Sequence, residues 1–518
     1  VTVVLEPDAE LGDRRTAEEH ARLEAARAHF DEGTLQKILE QTAALRLRQE
    51  TPDSPAALAT IPRLQLSDIE KSVRTIPLDV STVQEAQLLH HDLFTNDILY
   101  LDLAFDLHPL PQRLIPYLSL FGRALREIGT EQEDYIRLAQ RIGRLTGGFS
   151  TGNLLSSTLD AKREAARFTL RGKATLEHVQ DLLDLLGDLL LTVQFDNQAR
   201  FKQMVLEAKA RREASLIPAG HQVVNRRLRA AFNVADALSE QISGIDNLIF
   251  LRELVERIDR DWNGVLADLE EIRRRLIHRS GLVANVTLAA DAWRLVQPQV
   301  AAFLGRLPDL PAEVHTWQRD TLPENEGLVI PAQVNYVGKG ANLFDLGYEL
   351  HGSMLVVNKY LQTTWLWEKV RVQGGAYGAF GVFDQLSGVY TYISYRDPNL
   401  SQTLDIYDRT AQFLRQVEIH ADELTKSIIG VISDLDSYQL PDAKGYTSMV
   451  RYLVGMDDTR RQRLRDQILA TTADDFRRVA DILAQVAVSG RVVVLGSEKA
   501  LQTANQEQPG WLTIQRVL

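Results

Sequence analysis

The sequence predicts an α+β protein: two related domains, each with helices packed on a largely antiparallel sheet, preceded by a helical hairpin linker. Three observations carry that expectation. Alternating β-branched and aromatic runs such as Val389 to Tyr395 mark strands, while apolar residues at helical spacing, such as Leu182, Leu185, Leu186 and Leu189, mark long helices. A paired glycine, Gly147-Gly148, recurs 227 residues later as Gly374-Gly375, each time after a helix and before two strands and further helices. A period that long suggests duplicated domains rather than a solenoid.

The elements follow in order. Val1 to Leu5 is a β-branched run ending before Pro7 and reads as the last strand of a domain lying upstream. With no initiator Met, the chain is expected to be a fragment or a processed product. Residues 9–50 are rich in helix formers and broken at Gly33, after which Thr34 can cap a second helix; Lys37 stands where a full capping box needs Glu or Gln. Pro52, Pro55 and Pro62 end the hairpin and lead into an extended segment, so residues 1–75 are expected to hold the end of a preceding domain plus the linker.

A domain is expected over 76–322. Two strand-like runs lie between Leu88 and Leu107 with Thr95-Asn96-Asp97 as a turn, then helices near 110–128 and 131–145. Strands after Gly148 and over 164–170, long helices across 174–279, a strand at 282–288 and a helix at 290–306 complete it. Pro308, Pro311 and Pro323-Glu-Asn-Glu-Gly327 mark the boundary to a domain over 323–518. There, Leu328 to Val337 reads as a strand, 344–367 as largely helical, and Gly374-Gly375 opens another strand. Five helices between 400 and 486 follow, and Arg491 to Leu495 closes the pattern as a buried strand.

Composition narrows the function. The 518 residues exceed one ordinary core, and the net charge of −12 argues against general nucleic-acid binding. The absence of cysteine excludes disulfides, thiolate metal sites and a cysteine nucleophile. No apolar run approaches the roughly 18 residues of a membrane span, and the N-terminus lacks the basic region of a signal peptide. These features predict an intracellular protein with no nucleic acid or membrane partner, and the excess of arginine over lysine favours a bacterial cytoplasm over an organelle matrix.

No HxxEH or HExxH occurs, and His90-His91 on a strand would point to opposite faces, so no metal site is expected. His351 beside Glu349 reads as a capping or solvated histidine. No Gly-x-Ser-x-Gly is present, and Gly338-Lys-Gly340 lacks the spacing of a phosphate loop. What remains is Arg371-Val-Gln-Gly-Gly-Ala-Tyr377-Gly378. Two readings stay open: a sheet bend with a solvated Arg371, or a cleft in which Arg371 and Tyr377 hold a peptide carbonyl. A phenol and a fixed guanidinium can both donate to a developing oxyanion. Their even separation would put both on one strand face.

The segment Leu366-Trp-Glu-Lys-Val-Arg-Val-Gln-Gly-Gly-Ala-Tyr-Gly-Ala-Phe380 resembles the C-terminal half of presequence protease, a branch of the inverzincin (pitrilysin-like) zinc peptidases. Thr95 to Asp106, Thr146-Gly-Gly-Phe149, Ser394-Tyr-Arg-Asp-Pro398 and Asp53 to Pro62 support it, so the resemblance covers essentially the whole chain. It implies four related α+β domains in two halves joined by a helical hairpin, closing on an unfolded peptide. This chain would supply the hairpin and the third and fourth domains. Arg371 and Tyr377 would act at the reacting carbonyl, with Gly374, Gly375 and Ala376 against the substrate. The zinc ion would sit on HxxEH in the N-terminal half, with none in this chain, which would be inactive alone. The peptide is expected to add as a strand to a sheet edge. The alternative is a separate, non-catalytic peptide-binding subunit that pairs with a zinc-bearing partner.

Overall fold

The computed structural model describes Asp8 and residues 10–160, 163–309 and 313–518. The strand expected at Val1 to Leu5 lies outside the described residues. The chain divides into two compact units, residues 1–65 and 66–518. In the first, helices Leu11–Ala28 and Glu32–Glu50 are joined by a short turn, and neither contains a buried residue. Asp31, not Thr34, caps the second helix by accepting from the Thr34 N–H, so Gly33 lies inside its first turn. A carboxylate next to the helix's positive end is the stronger cap, which is why the start falls earlier than the glycine suggested. Among the described residues, no helix is long and apolar enough to cross a membrane.

The second unit holds two six-stranded sheets. The first comprises β1 (Asp79–Val83), β2 (Ala86–His91), β3 (Ile98–Asp106), β4 (Phe149–Ser156), β5 (Ala165–Thr175) and β6 (Val283–Thr287). The second comprises β7 (Asn325–Val329), β8 (Tyr336–Asn342), β9 (Gly378–Phe383), β10 (Val389–Tyr395), β11 (Arg491–Gly496) and β12 (Thr513–Arg516). Their orders are β1-β2-β6-β3-β5-β4 and β12-β7-β11-β8-β10-β9. Five strands in each follow one plan. β2 and β7 run parallel to β6 and β11, and the remaining neighbours out to β4 and β9 are antiparallel. The second glycine of each pair is left-handed, with φ +90° at Gly148 and +81° at Gly375. The duplication read from the glycine spacing is therefore a duplication of topology.

Two features complete the sequence reading. The Thr95–Asp97 turn lies between β2 and β3 as expected, and β6 inserts between the two strands, with left-handed Asn96 and Asp97 redirecting the chain. The sequence pattern also stopped at Leu495. A helix, Glu498–Glu507, and β12 follow, and β12 adds in parallel to β7 where the first sheet has β1. β12 escaped notice because it is short and mostly exposed, so it carries little apolar alternation.

One face of each sheet is buried by helices of its own half, giving cores around Phe105, Phe121 and Leu186 in one and Tyr360, Tyr390 and Phe476 in the other. The opposite faces are covered reciprocally. Helix Gly220–Ala230, from the first half, lays Val223, Val224 and Leu228 against Tyr336, Ile393 and Val493 of the second sheet. Helix Pro441–Val454, from the second half, lays Met449 against Leu89, Ala104 and Val283 of the first. Glycine makes both contacts possible: a methyl at Gly220 would collide with the Tyr336 ring, and one at Gly445 with the Thr287 hydroxyl.

One helix is seated by charge. Arg227, buried, donates from Nε to Glu326 Oε2 at 2.8 Å and from Nη2 to Oε1 at 2.9 Å, with Asp246 Oδ1 2.7 Å from Nη1. A bidentate guanidinium–carboxylate pair out of water must remain complete, since either partner alone is an uncompensated buried charge. Arg227→Ala is therefore expected to lower stability by about 3–5 kcal/mol in urea unfolding, whereas Arg227→Met combined with Glu326→Leu, which still leaves Asp246 without its partner, should recover only part of that loss. An Arg227→Ala chain as stable as wild type would show that the pair does not seat this helix.

Candidate functional site

The site grows from a wide helical turn. The helix Ser353–Thr363 is followed by a π-helical segment, Trp367–Gln373, which carries Arg371. Such turns are rare, and they are frequent at functional sites. Here two residues four apart lie on one side of the turn, and the Arg371 guanidinium sits 3.9 Å from the centre of the Trp367 ring. No carboxylate among the described residues pairs with it. An arginine over indole keeps its full charge and its donors free, because a π face attracts the cation without accepting its N–H groups.

Gly374 and left-handed Gly375 end the turn. The Gly375 N–H donates to the Arg371 carbonyl at 2.9 Å and the Ala376 N–H to the Val370 carbonyl at 3.1 Å. Each bond spans one residue more than at a glycine-terminated α-helix, as the wider turn requires. Asn399 Nδ2 donates to the Gly374 carbonyl at 2.6 Å, tying the turn to the loop after β10. That loop is well braced: Asp397, fully buried, accepts from Thr403 Oγ1 at 2.7 Å and from the Asn399 N–H at 2.9 Å, and exchanges backbone bonds with Asn335. Burial raises the Asp397 carboxyl pKa, and these donors oppose the rise.

Tyr377 stands just before β9, where its N–H donates to the Tyr395 carbonyl at 2.9 Å. It is 67% exposed, its ring meets Tyr395 edge-on at 5.6 Å, and the ring centre lies 5.8 Å from the Arg371 guanidinium. Arg371 and Tyr377 do meet, but not as residues of one strand face. The first is on the π turn and the second on the strand side of the bend, and the left-handed glycine folds one onto the other. Tyr395 in turn takes the Arg396 guanidinium at 5.5 Å and packs edge-on against His221 at 4.7 Å, on the helix contributed by the first half. Burial lowers the His221 pKa, which favours its neutral ring. Trp367, Val372 and Phe380 are exposed in the same stretch, as are Glu368 and Gln373, whose side chains bond each other at 2.8 Å, so the guanidinium and the phenol sit in a mixed polar and apolar surround.

β9 is the edge of its sheet, and one of its edge carbonyls is already engaged. The Gly381 carbonyl accepts from Asn358 Nδ2 at 2.9 Å and Gln362 Nε2 at 2.6 Å, both on helix Ser353–Thr363. The other candidates fall to structural roles. His90 stacks on Trp293 at 5.3 Å, while His91, one residue on, bonds the Pro77 carbonyl and Asn285. His351 Nδ1 lies 2.8 Å from Ser353 Oγ at the start of its helix. Lys339 bonds Asp408 and the Ala487 carbonyl, so it offers nothing to a phosphate. Among the described residues, no three His, Asp or Glu side chains are grouped to hold a metal ion.

Comparison with known proteins decides the family. The model for the associated domain of peptidase family M16, subfamily C, matches residues 5–254, and that for the PreP C-terminal domain matches 325–498. The chain is 43% identical over its whole length to Arabidopsis thaliana presequence protease 1, covering 48% of that protein. It belongs to the presequence protease-like M16 peptidases, as their C-terminal half. This M16 chain is also 29% identical to Clostridium perfringens protein HypA over 96% of its own length and 51% of that protein. Thus it spans about half the length of the curated relatives it matches. In fold it is similar to a Pseudomonas fluorescens peptidase M16 inactive domain (TM-score 0.53, 15% identity, 81% of this chain and 98% of that one). A conserved protein from Enterococcus faecalis shares the fold likewise (TM-score 0.60, 15% identity, 81% and 99%).

Within this M16 half, sequence reasoning missed the supports of the site. Trp367 was signalled only by its spacing of four from Arg371, and Tyr395 and Arg396 by the Ser394–Pro398 segment. His221 comes from 150 residues upstream of Arg371 and left no local signal. The turn itself can be tested. Gly375 has φ +81°, and a Cβ there would meet nothing closer than Pro398 at 3.5 Å. Gly375→Ala is therefore expected to cost about 1–2 kcal/mol in thermal or urea unfolding, from backbone strain alone. No loss would mean that the turn accommodates a side chain freely.

Proposed function

We propose that this chain forms the substrate-clamping wall of a zinc endopeptidase that degrades unfolded peptides resembling targeting sequences. Residues 76–322 and 323–518 serve as its third and fourth domains. The observation that carries the reading is the Arg371 guanidinium, held over Trp367 without a carboxylate partner beside an exposed Tyr377. A cation left without a counter-charge, and carried on a rare turn, is arranged for a ligand. Arg371 and the Tyr377 hydroxyl donate to the peptide carbonyl as negative charge develops on its oxygen. Gly374 and Gly375 offer a surface without bulky side chains along which a backbone can lie, while Ala376, expected there too, is buried in the core behind them; Trp367 and Phe380 take the apolar side chains.

The described residues of this chain do not fit a catalytic zinc ion, so we assign the metal and the water it activates to the N-terminal peptidase half, in cis or as a partner chain. The length of the relatives, about twice this chain, supports that division. In the complete enzyme, Arg371→Ala and Tyr377→Phe are each expected to lower kcat/KM for an unfolded peptide by about tenfold or more, with little change in melting temperature. Wild-type kinetics in both would remove these residues from the site. Chain 1–518 alone is expected to retain no zinc after dialysis and to cleave no peptide. Hydrolysis by the pure chain that a chelator abolishes would overturn the assignment.

A further inference from the structure

Away from the arginine–tyrosine site, helices Leu118–Glu127, Gln198–Ser215 and Ile245–Arg260 line a cavity of about 320 Å³. Its lining combines apolar Leu120, Ala208 and Leu251 with polar Arg211, Arg212 and Asn247. The charges there do not balance. Neighbouring arginines are matched: Arg123 bonds Glu127 and Glu207, and Arg252 bonds Glu213. Arg212 is not. Among the described residues nothing accepts from its guanidinium, and its Nε is buried without a partner. Arg211 has no ion pair among them either, and Arg226, whose charge reaches Arg212 through space, donates only to the Ser243 carbonyl.

Burial lowers the Arg212 pKa, the positive charge of Arg226 adds to the effect, and Glu240 opposes it. Glu240 is a weak counterweight, since burial pushes its own carboxyl up to about 7. Folded proteins rarely bury a donor of a charged group with no acceptor, and where they do, an ion or water commonly supplies one. Only the inner Nε is buried without a partner, so the outer nitrogens of the guanidinium stay accessible to a ligand in the cavity.

We propose that this cavity binds a phosphate group, with Arg212 as its forked donor and Arg211 as the second cation. A guanidinium matches two phosphate oxygens at once, and a dianion neutralises both unpaired arginines where a single carboxylate would leave one. Leu120 and Leu251 give an ester substituent an apolar wall.

Calorimetric titration of chain 1–518 with inorganic phosphate at low salt tests this. Wild type is expected to bind, Arg212→Lys to bind more weakly, and Arg212→Gln to lose about tenfold or more in affinity. In phosphate-free buffer, Arg212→Gln should melt at or above wild type, since it removes a desolvated charge, and phosphate should raise the melting temperature of wild type only. Equal phosphate affinity in wild type and Arg212→Gln would overturn the site. So would an Arg212→Gln chain melting well below wild type without phosphate, because the guanidinium would then be a structural element. Phenyl phosphate separates the sources of the group: tighter binding than inorganic phosphate assigns an ester, and equal binding assigns the free ion.

Discussion

A sheet with two apolar faces must be covered twice, and here each sheet takes its second cover from the other half of the molecule. Helix Gly220–Ala230 closes the sheet of β7–β12, and helix Pro441–Val454 closes that of β1–β6. Gly220 and Gly445, the residues of closest approach, lie 225 residues apart, close to the 227 between the glycine pairs. The exchange is thus one contact made twice by duplicated elements, which is what a twofold relation between the halves generates. Neither sheet has a complete environment without the other half, so the two must fold as one body.

The arginine–tyrosine site depends on that exchange. Tyr377 leans on Tyr395, Tyr395 leans on His221, and His221 rides on the helix that crosses from the first half. A second support comes from Asn399 and the buried Asp397, which fix the end of the π turn. The guanidinium needs this support from several elements because it has surrendered the strongest one available, a carboxylate. Contact with an aromatic face is worth about 0.5–2 kcal/mol, and it leaves the N–H groups unspent.

Much of this was legible in the sequence, and the limits have physical causes. Strands such as β10 and the leucine-rich helix Val179–Leu191 declare themselves because burial imposes a period on their apolar residues. The duplication was legible because left-handed backbone selects glycine, so Gly148 and Gly375 mark the same bend. Arg371 and Tyr377 could be named from their motif. Their geometry could not, because a π turn has no compositional signature and it replaces the strand alternation on which the even spacing relied. Arg212 was silent for the opposite reason. An arginine in a helix reads as solvated, and only the fold reveals that its Nε is buried without an acceptor.

The duplication also lets the two glycine bends be compared position by position. At the spacing of 227, Arg144 stands opposite Arg371, but Gln140 replaces Trp367 and Ser150 replaces Tyr377. The cation is kept in both halves, while the two aromatic rings that hold and accompany it are confined to the second. The turn differs with them: an ordinary helix, Tyr135–Leu145, runs up to Gly147, and β4 begins directly at Phe149. In the second half the π turn intervenes and β9 begins only at Gly378. The π turn carries both the guanidinium and the indole beneath it, and the glycine that closes it folds the phenol beside them, so the three form one device. A lone arginine at a glycine bend is compatible with a solvated surface. The same arginine, carried on a rare turn between two rings, is held apart from any carboxylate among the described residues, and it is this addition to the duplicated frame that distinguishes the second half.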